Sequence, residues 1–409
     1  MPPLFNFMEI FKKENRIYLK IIITLCMLSC GGVGITSNTV GVFYNYVASD
    51  LNILRGTYII HNTIATFALA FFALFVPRVV NKDNFRKIII IACIISSLSC
   101  YLMSFQSSIW MFYILGFIRG LGNAFFAFVA LSLIINKWFN KNYGLITSIV
   151  YSCAGVAGAI LSPLFLNIIE KYGWRIGYKT MGICMFIFLL PFIFTKYTLT
   201  PKEMGLKPYG GDFTLSGREI QTSKIDHTLF VYIAIFAACI HLAAGNIQHL
   251  SALASSRGYS LAIMSLFVSL PMIGNVTFKF IEGEISDKKN AIFANMVMLI
   301  ITIIGIVLLL NYNASLNLVG TLLFGAVFAE TAVGLTLITR EVFGLDNFNK
   351  TYPIYSLLGN GFYAIAGTLY GYLYDFTLSY DLGLIIGLIL TVICVLMIYL
   401  SKIRLKQKS

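Results

Sequence analysis

The sequence predicts an all-α polytopic membrane protein of twelve transmembrane helices in two six-helix repeats. Three observations carry that prediction. Hydrophobic residues fill 58% of the 409 positions and charged residues only 11%, with a mean hydropathy of +0.83, whereas soluble domains carry about 25% charged residues. Twelve apolar runs are each bounded by charged or turn residues, and about 20 apolar residues cross a bilayer core as helix. Basic residues keep to alternate loops: of 30 Lys and Arg, 23 fall on the termini and one set of loops, five on the other set, and two, Arg119 and Lys279, within spans. Continuous apolar runs of this length are helices, since lipid accepts only helices or closed barrels. The positive-inside rule places both termini in the cytoplasm, with the cell membrane as the expected location. The net charge of +13 therefore reports topology, and no nucleic-acid partner is expected.

Taken in order, residues 1–20 form a cytoplasmic arm whose segment FNFMEIFKKENRIYLK is amphipathic, and 21–197 form the first six-helix bundle. Residues 198–227 are a polar cytoplasmic loop, 228–400 the second bundle and 401–409 a cytoplasmic tail. Span one, about Ile21 to Tyr46, combines Gly31, Gly32, Gly34 and Gly41 with Thr36, Ser37, Asn38 and Thr39. Small residues let helices approach closely, and polar ones face a neighbour or a cavity. Span two runs from Gly56 to Val80 with His61, and span three from Ile88 to Phe105. Span four, Trp110 to Ile135, carries Arg119 too deep for easy snorkelling. Span five packs small residues in SCAGVAGAILSP, and span six ends near Tyr197.

The second half repeats the plan. Span seven, Thr228 to Ala254, holds His241, Asn246, Gln248 and His249, and span eight carries Lys279 and ends in a basic turn with Gly283, Asp287 and Lys288. Span nine runs from Ala291 to Leu310, span ten from Leu316 to Thr339 with Glu330, span eleven from Tyr352 to Tyr374, and span twelve ends near Leu400. Tyr143 and Tyr352 each open a small-residue-rich span, Gly158 and Gly367 match within them, and both pairs are 209 residues apart. Parallel six-span repeats with a midplane substrate site describe the major facilitator plan.

Several segments resemble the major facilitator superfamily, and within it the monocarboxylate transporter and oxalate/formate antiporter branch. They are TVGVFYNYVASDL after span one, INKWFNKNYGL before span five, YGWR before span six, GNVTFKFIEGEISDKK at span eight and DNFNKTYPIYSLLGNGFYAIAGTLYGYLYD through span eleven. The resemblance implies a carrier of a small organic anion, by proton symport or anion antiport, functional as a monomer in the bilayer. It also implies that Lys279, four residues before Gly283 of a G-x-x-x-D turn, binds the substrate carboxylate. Two departures matter. The first-half turn has Pro77, Asn81 and Asn84 in place of glycine and aspartate, and Ser356 to Gly361 lacks the second basic residue of oxalate-type members, which favours a monocarboxylate.

The candidate site follows from cost. A charge within a spanning helix costs about 2.5 to 3.5 kcal/mol on insertion scales, so it faces water or a partner. Lys279 and Arg119 are expected to attract the anion jointly; an opposite charge at 4 Å is worth about 4 kcal/mol at an effective dielectric near 20. Arginine binds a carboxylate through two parallel hydrogen bonds and lysine acts as a point charge. The alternatives are snorkelling for Lys279 and a structural tie for Arg119. Asn38, Asn123, Asn275, Gln248 and His249 are candidates for polar lining. Glu330 either neutralises a buried base, takes up a coupled proton, or sits at the inner mouth; His241 is a second proton candidate, with plain packing its alternative. His241 and His249, eight apart on one helix, are expected on similar faces.

Rival functions lack motifs. No HExxH, P-loop, GxSxG or metal-spaced carboxylate cluster occurs, so no catalytic residue, metal or cofactor is expected. The eight cysteines lie in apolar runs without a CxxC pair and read as small core residues. The mixed-charge arm and the long first run are expected to remain uncleaved.

Overall fold

A computed structural model describes residues 15–211 and 225–408. Most of the expected amphipathic arm and the middle of the linker lie outside the described residues. The main helices are α1 (Arg16–Ser29), α2 (Arg55–Ala73), α3 (Phe85–Met103), α4 (Ile109–Ala124), α5 (Tyr143–Tyr172) and α6 (Trp174–Phe194). After the linker come α7 (His227–Ala244), α8 (Leu261–Lys288), α9 (Ala291–Leu309), α10 (Ala314–Phe324), α11 (Leu335–Thr377) and α12 (Asp381–Lys408).

Among the described residues, eleven helical runs are long and apolar enough to cross a membrane. One of them, Ala314–Tyr374, is 61 residues long, roughly three times the length of a crossing. It breaks at Gly344, whose φ of 69° and ψ of 178° interrupt α11; positive φ suits a residue without a Cβ. Counted as two crossings, this run brings the total to the expected twelve. The loop expected between spans ten and eleven is therefore helix with a one-residue break.

The chain divides into two units. One holds the residues up to Asn142 together with those from Ile149 to the linker, and the other holds Tyr143–Ser148 with everything after the linker. The first unit packs around aromatic rings: Phe43 lies 4.2 Å from Tyr178 and Tyr58 lies 5.2 Å from Phe112, centroid to centroid. The second has a core of Phe278, Met298, Ala326 and Ala329. Exposed apolar side chains such as Ile160, Ile187 and Val307 suit a lipid-facing surface.

The described backbone corrects several expectations. The first described helix starts at Arg16, ahead of the expected Ile21, and span one does not continue unbroken to Tyr46: its polar set forms a turn, where Thr36 and Thr39 hydroxyls return to the carbonyls of Gly32 and Ile35. At the other end α12 runs on to Lys408, and its Arg404 pairs with Asp226 at 3.2 Å. Gly283, Asp287 and Lys288 lie within α8 and not in a turn. Arg340, expected in a loop, is buried with its guanidinium 3.5 Å from the Tyr143 ring centroid.

Candidate functional site

Among the described residues, spans one, four, seven and ten are interrupted, and they hold corresponding places, first and fourth, in the two six-helix halves. Span one passes through a π turn at Cys30–Gly34, span four breaks between Ala124 and Phe128, span seven tightens to a 3-10 turn at Gly245–His249, and span ten widens to a π turn at Glu330–Gly334. Irregular backbone at membrane depth is tolerated where protein buries it or a cavity is lined by it. Matched interruptions in two halves point to where a substrate binds.

In the first unit Arg119 is 1% exposed on α4. Its Nη2 donates to Asn62 Oδ1 on α2 at 2.9 Å, while Nε and Nη1 have no partner. Among the described residues no carboxylate lies within salt-bridge distance of it. A buried guanidinium with unpaired N–H groups is costly in isolation, and an incoming acceptor would relieve that cost. One turn along α4, Asn123 is buried; its Nδ2 donates to Thr36 Oγ1 at 2.8 Å and its Oδ1 has no partner. Asn38 is exposed and donates to the Ala154 carbonyl at 2.9 Å. Nearby, the Tyr58 and Tyr178 hydroxyls share a 2.6 Å hydrogen bond and His61 Nδ1 lies 2.5 Å from the Tyr58 carbonyl.

In the second unit Lys279 is 5% exposed on α8, and Asn275, one turn before it, is buried with Oδ1 unpaired. Lys279 lies within charge-attraction range of Glu282. Glu282 and Glu330 are fully buried, and none of their four carboxylate oxygens has a hydrogen-bond partner. Glu330 is thus an interior residue. His241 places its Nδ1 2.8 Å from the Ala237 carbonyl, and its ring packs on Gly359 of α11. His249 Nε2 lies 3.0 Å from the Gly367 carbonyl, and Gln248 Oε1 crowds the same glycine. The two histidines therefore meet one partner helix despite the 3-10 turn between them.

The end of α8 makes a third arrangement. Asp287 Oδ1 accepts from Gly144 N–H and its Oδ2 from Leu145 N–H, both at 2.8 Å. This carboxylate caps the first turn of α5, satisfying orphan N–H groups and meeting the positive end of the helix dipole. Gly283 allows the approach, since a Cβ there would collide with the Ser148 hydroxyl and sit 2.7 Å from the Gly144 carbonyl carbon. Lys288 pairs with Glu284 at 2.8 Å on an exposed face.

Sequence reasoning missed Asn62, Glu282 and Asn295. Glu282 was within reach, since it follows Lys279 by three residues and so shares its helix face. Asn62 and Asn295 come from other helices, and no local pattern marks them.

A profile of the Major Facilitator Superfamily matches residues 26–361. Purine ribonucleoside efflux pumps from Shigella sonnei and Escherichia coli O157:H7 are 26% identical over 144 residues, 34% of this chain and 36% of theirs. The match thus spans about a third of the length of these curated relatives. The solved structure of a proton:xylose symporter bound to 6-bromo-6-deoxy-D-glucose superimposes with a TM-score of 0.73 at 14% identity, covering 95% of this chain and 96% of its own. The transporter FucP in its outward conformation gives a TM-score of 0.69 at 11% identity, covering 93% and 97%. At these identities the likeness is one of fold.

Proposed function

Because the chain belongs to the major facilitator superfamily and is an integral membrane transporter, we propose that it is a secondary active carrier of a small organic anion. A monocarboxylate is the simplest such substrate, and alternating access the mechanism. The observation that carries this reading is Arg119: buried, hydrogen-bonded to a neutral amide, with two of its three guanidinium nitrogens unmatched. A carboxylate supplies both the missing charge and the missing acceptors. Asn123 offers a polar contact beside Arg119; Lys279, whose charge is shared with Glu282, is a secondary candidate with Asn275 and Gln248, while Asn38 and His249 are engaged with neighbouring backbone. The absence of a basic residue between Ser356 and Gly361 favours one carboxylate over two.

Transport is coupled to a proton or to exchange for a counter-anion; if a proton is the coupling ion, Glu330 is its first candidate carrier and His241 its second. The cap of Asp287 on α5, permitted by Gly283, is the proposed gating contact, with Lys288 a peripheral member. The carrier is read as a monomer of the cell membrane with cytoplasmic termini.

Counterflow in proteoliposomes tests the substrate. The expected result is saturable exchange of labelled monocarboxylate against unlabelled, lost in Arg119→Ala at equal protein abundance. The local similarity to nucleoside efflux pumps supplies the rival, a neutral solute. Exchange of purine ribonucleosides or sugars with none of monocarboxylates would overturn the anion reading.

A further inference from the structure

Three segments of the second unit bring acceptor oxygens to one point. Glu282 comes from α8, Asn295 from α9 and Glu330 from the π turn that ends at Gly334; all three side chains are fully buried. A Cβ on Gly334 would run into Glu282 Oε1 and would lie 2.9 Å from both Asn295 Oδ1 and Glu330 Oε2. The room left by that absent side chain is therefore ringed by oxygens. None of these oxygens makes a well-formed hydrogen bond, and the Gly334 N–H is the nearest donor to the Glu282 carboxylate. The amide of Asn295 is held in this orientation, since Nδ2 donates to the Ala291 carbonyl at 2.8 Å and to the Gly334 carbonyl at 3.4 Å. Turning it over would set Oδ1 against two carbonyl oxygens.

We propose that Glu282, Glu330 and Asn295, grouped around Gly334, form a binding site for a monovalent metal cation, sodium in the first instance. Convergent buried acceptors without a well-formed hydrogen bond demand a cation or a proton, because each unmatched group otherwise keeps its desolvation penalty. Two counts choose between these. Two carboxylates against the single ammonium of Lys279 leave one negative charge, which a monovalent ion neutralises and a divalent ion overshoots. One proton bridges two oxygens and leaves the third unmatched, whereas a hard metal cation takes oxygen ligands from all three groups. The charged and titratable groups facing the cluster are Lys279 on α8 and the Cys394 thiol on α12. Among the described residues no three His, Cys, Asp or Glu side chains gather as a metal site; here the third oxygen is an amide. A π turn at such a point is in keeping with the frequent use of π bulges at functional sites.

The site concerns the ion that the carrier couples to and needs no organic anion for its test. Purified full-length protein is titrated with sodium chloride against choline chloride at constant ionic strength and pH 8, with the melting temperature and bound radioactive sodium as readouts. A ligand of the folded state stabilises it by mass action. The expected result is a saturable rise in Tm with sodium alone and one bound sodium ion per chain. Both are lost in Glu282→Gln and Glu330→Gln, and in Gly334→Ala, which fills the space. Sodium binding by the wild type does not depend on whether these variants fold. Equal Tm curves in sodium and choline with no bound sodium would overturn the proposal, as would a Tm that follows pH with no response to sodium, which is the mark of a proton site. Either result leaves the counterflow assay of the anion untouched.

Discussion

Arg119 in the first unit and Lys279 in the second are basic side chains buried within spanning helices, yet their surroundings are opposite. Arg119 leans on the neutral amide of Asn62, with two of its nitrogens unmatched. Lys279 lies near Glu282, and Glu330 adds a second buried carboxylate. The first centre therefore holds one positive charge in excess and the second one negative. In a medium where buried charge is expensive, each lacks a partner of opposite sign: an anion for the first, a cation for the second.

Removing the excess charge at each centre tests the contrast most strongly. Arg119→Ala is expected to reduce uptake at low substrate about ten- to a hundredfold, the range for a charge-assisted hydrogen bond of about 1.5 to 3 kcal/mol. It should lower Tm only modestly, because relief of the unmatched buried charge offsets the lost Asn62 bond and the space left behind. Transport assays beside a thermal melt check both; a large fall in Tm with unchanged uptake would make Arg119 a structural residue. In the second unit, Lys279→Ala leaves two carboxylates uncompensated and is expected to destabilise, whereas Lys279→Ala with Glu282→Gln recovers part of the loss. A double-mutant cycle should return a coupling of about 0.5 to 3 kcal/mol. Additive effects would mean that Lys279 acts apart from the acidic pair.

Much of this was legible from residue order. Arg119, Lys279 and Glu330 stood out because charge inside an apolar run is rare, and the twelve-span count needed only hydropathy. What was not legible depends on contacts across helices. Asn295 looks like any polar residue in an apolar run until Gly334 is brought against it, and Asn62 becomes notable only beside Arg119. Gly283 suggested a turn by its spacing from Asp287; its use is to let a helix approach Gly144 closely, which a glycine in either setting could serve. Arg340 sits at the end of an apolar run and so looked like a loop cation, but the chain stays helical to Gly344 and carries it inside.

The next contrast lies where each half carries its short basic segment. In the second unit Asp287 caps the start of α5. In the first, the matching stretch closes on itself: Asn84 Nδ2 donates to the Val79 carbonyl and Asn84 Oδ1 accepts from the Asn81 N–H, each at 2.8 Å. Gly283→Ala must push a methyl group into the Gly144 carbonyl and is expected to cost about 1 to 3 kcal/mol in this conformation. Asp287→Asn keeps an acceptor but loses the charge at a helix N-terminus, about 0.3 to 1 kcal/mol. Accessibility of a cysteine introduced at Leu145, read by thiol labelling, should rise more for the glycine change than for the aspartate change. Equal labelling in wild type and both variants would remove the gating role.

The smallest effect is expected at ion pairs away from the spans' centres, and it follows burial. In the second unit Arg257 is largely buried and bonds Asp381 at 2.8 Å along with the carbonyls of Leu309 and Asn311. Its counterpart in the first unit, Arg175 with Asp50 at 2.7 Å, is about half exposed. The hydrogen bond from Arg175, and then that from Trp174, holds the Asp50 carboxyl below its ordinary value of 3.8. A depressed carboxyl contributes stability above the unfolded value that is lost as pH falls through the folded one. Solvent screens an exposed pair, so Asp50→Asn should lower Tm only slightly at pH 7. The difference from wild type should shrink as pH falls below about 4, where the wild-type carboxylate is itself protonated. A difference that stays constant down to that pH would show that the side chain acts through shape and hydrogen bonding rather than through charge.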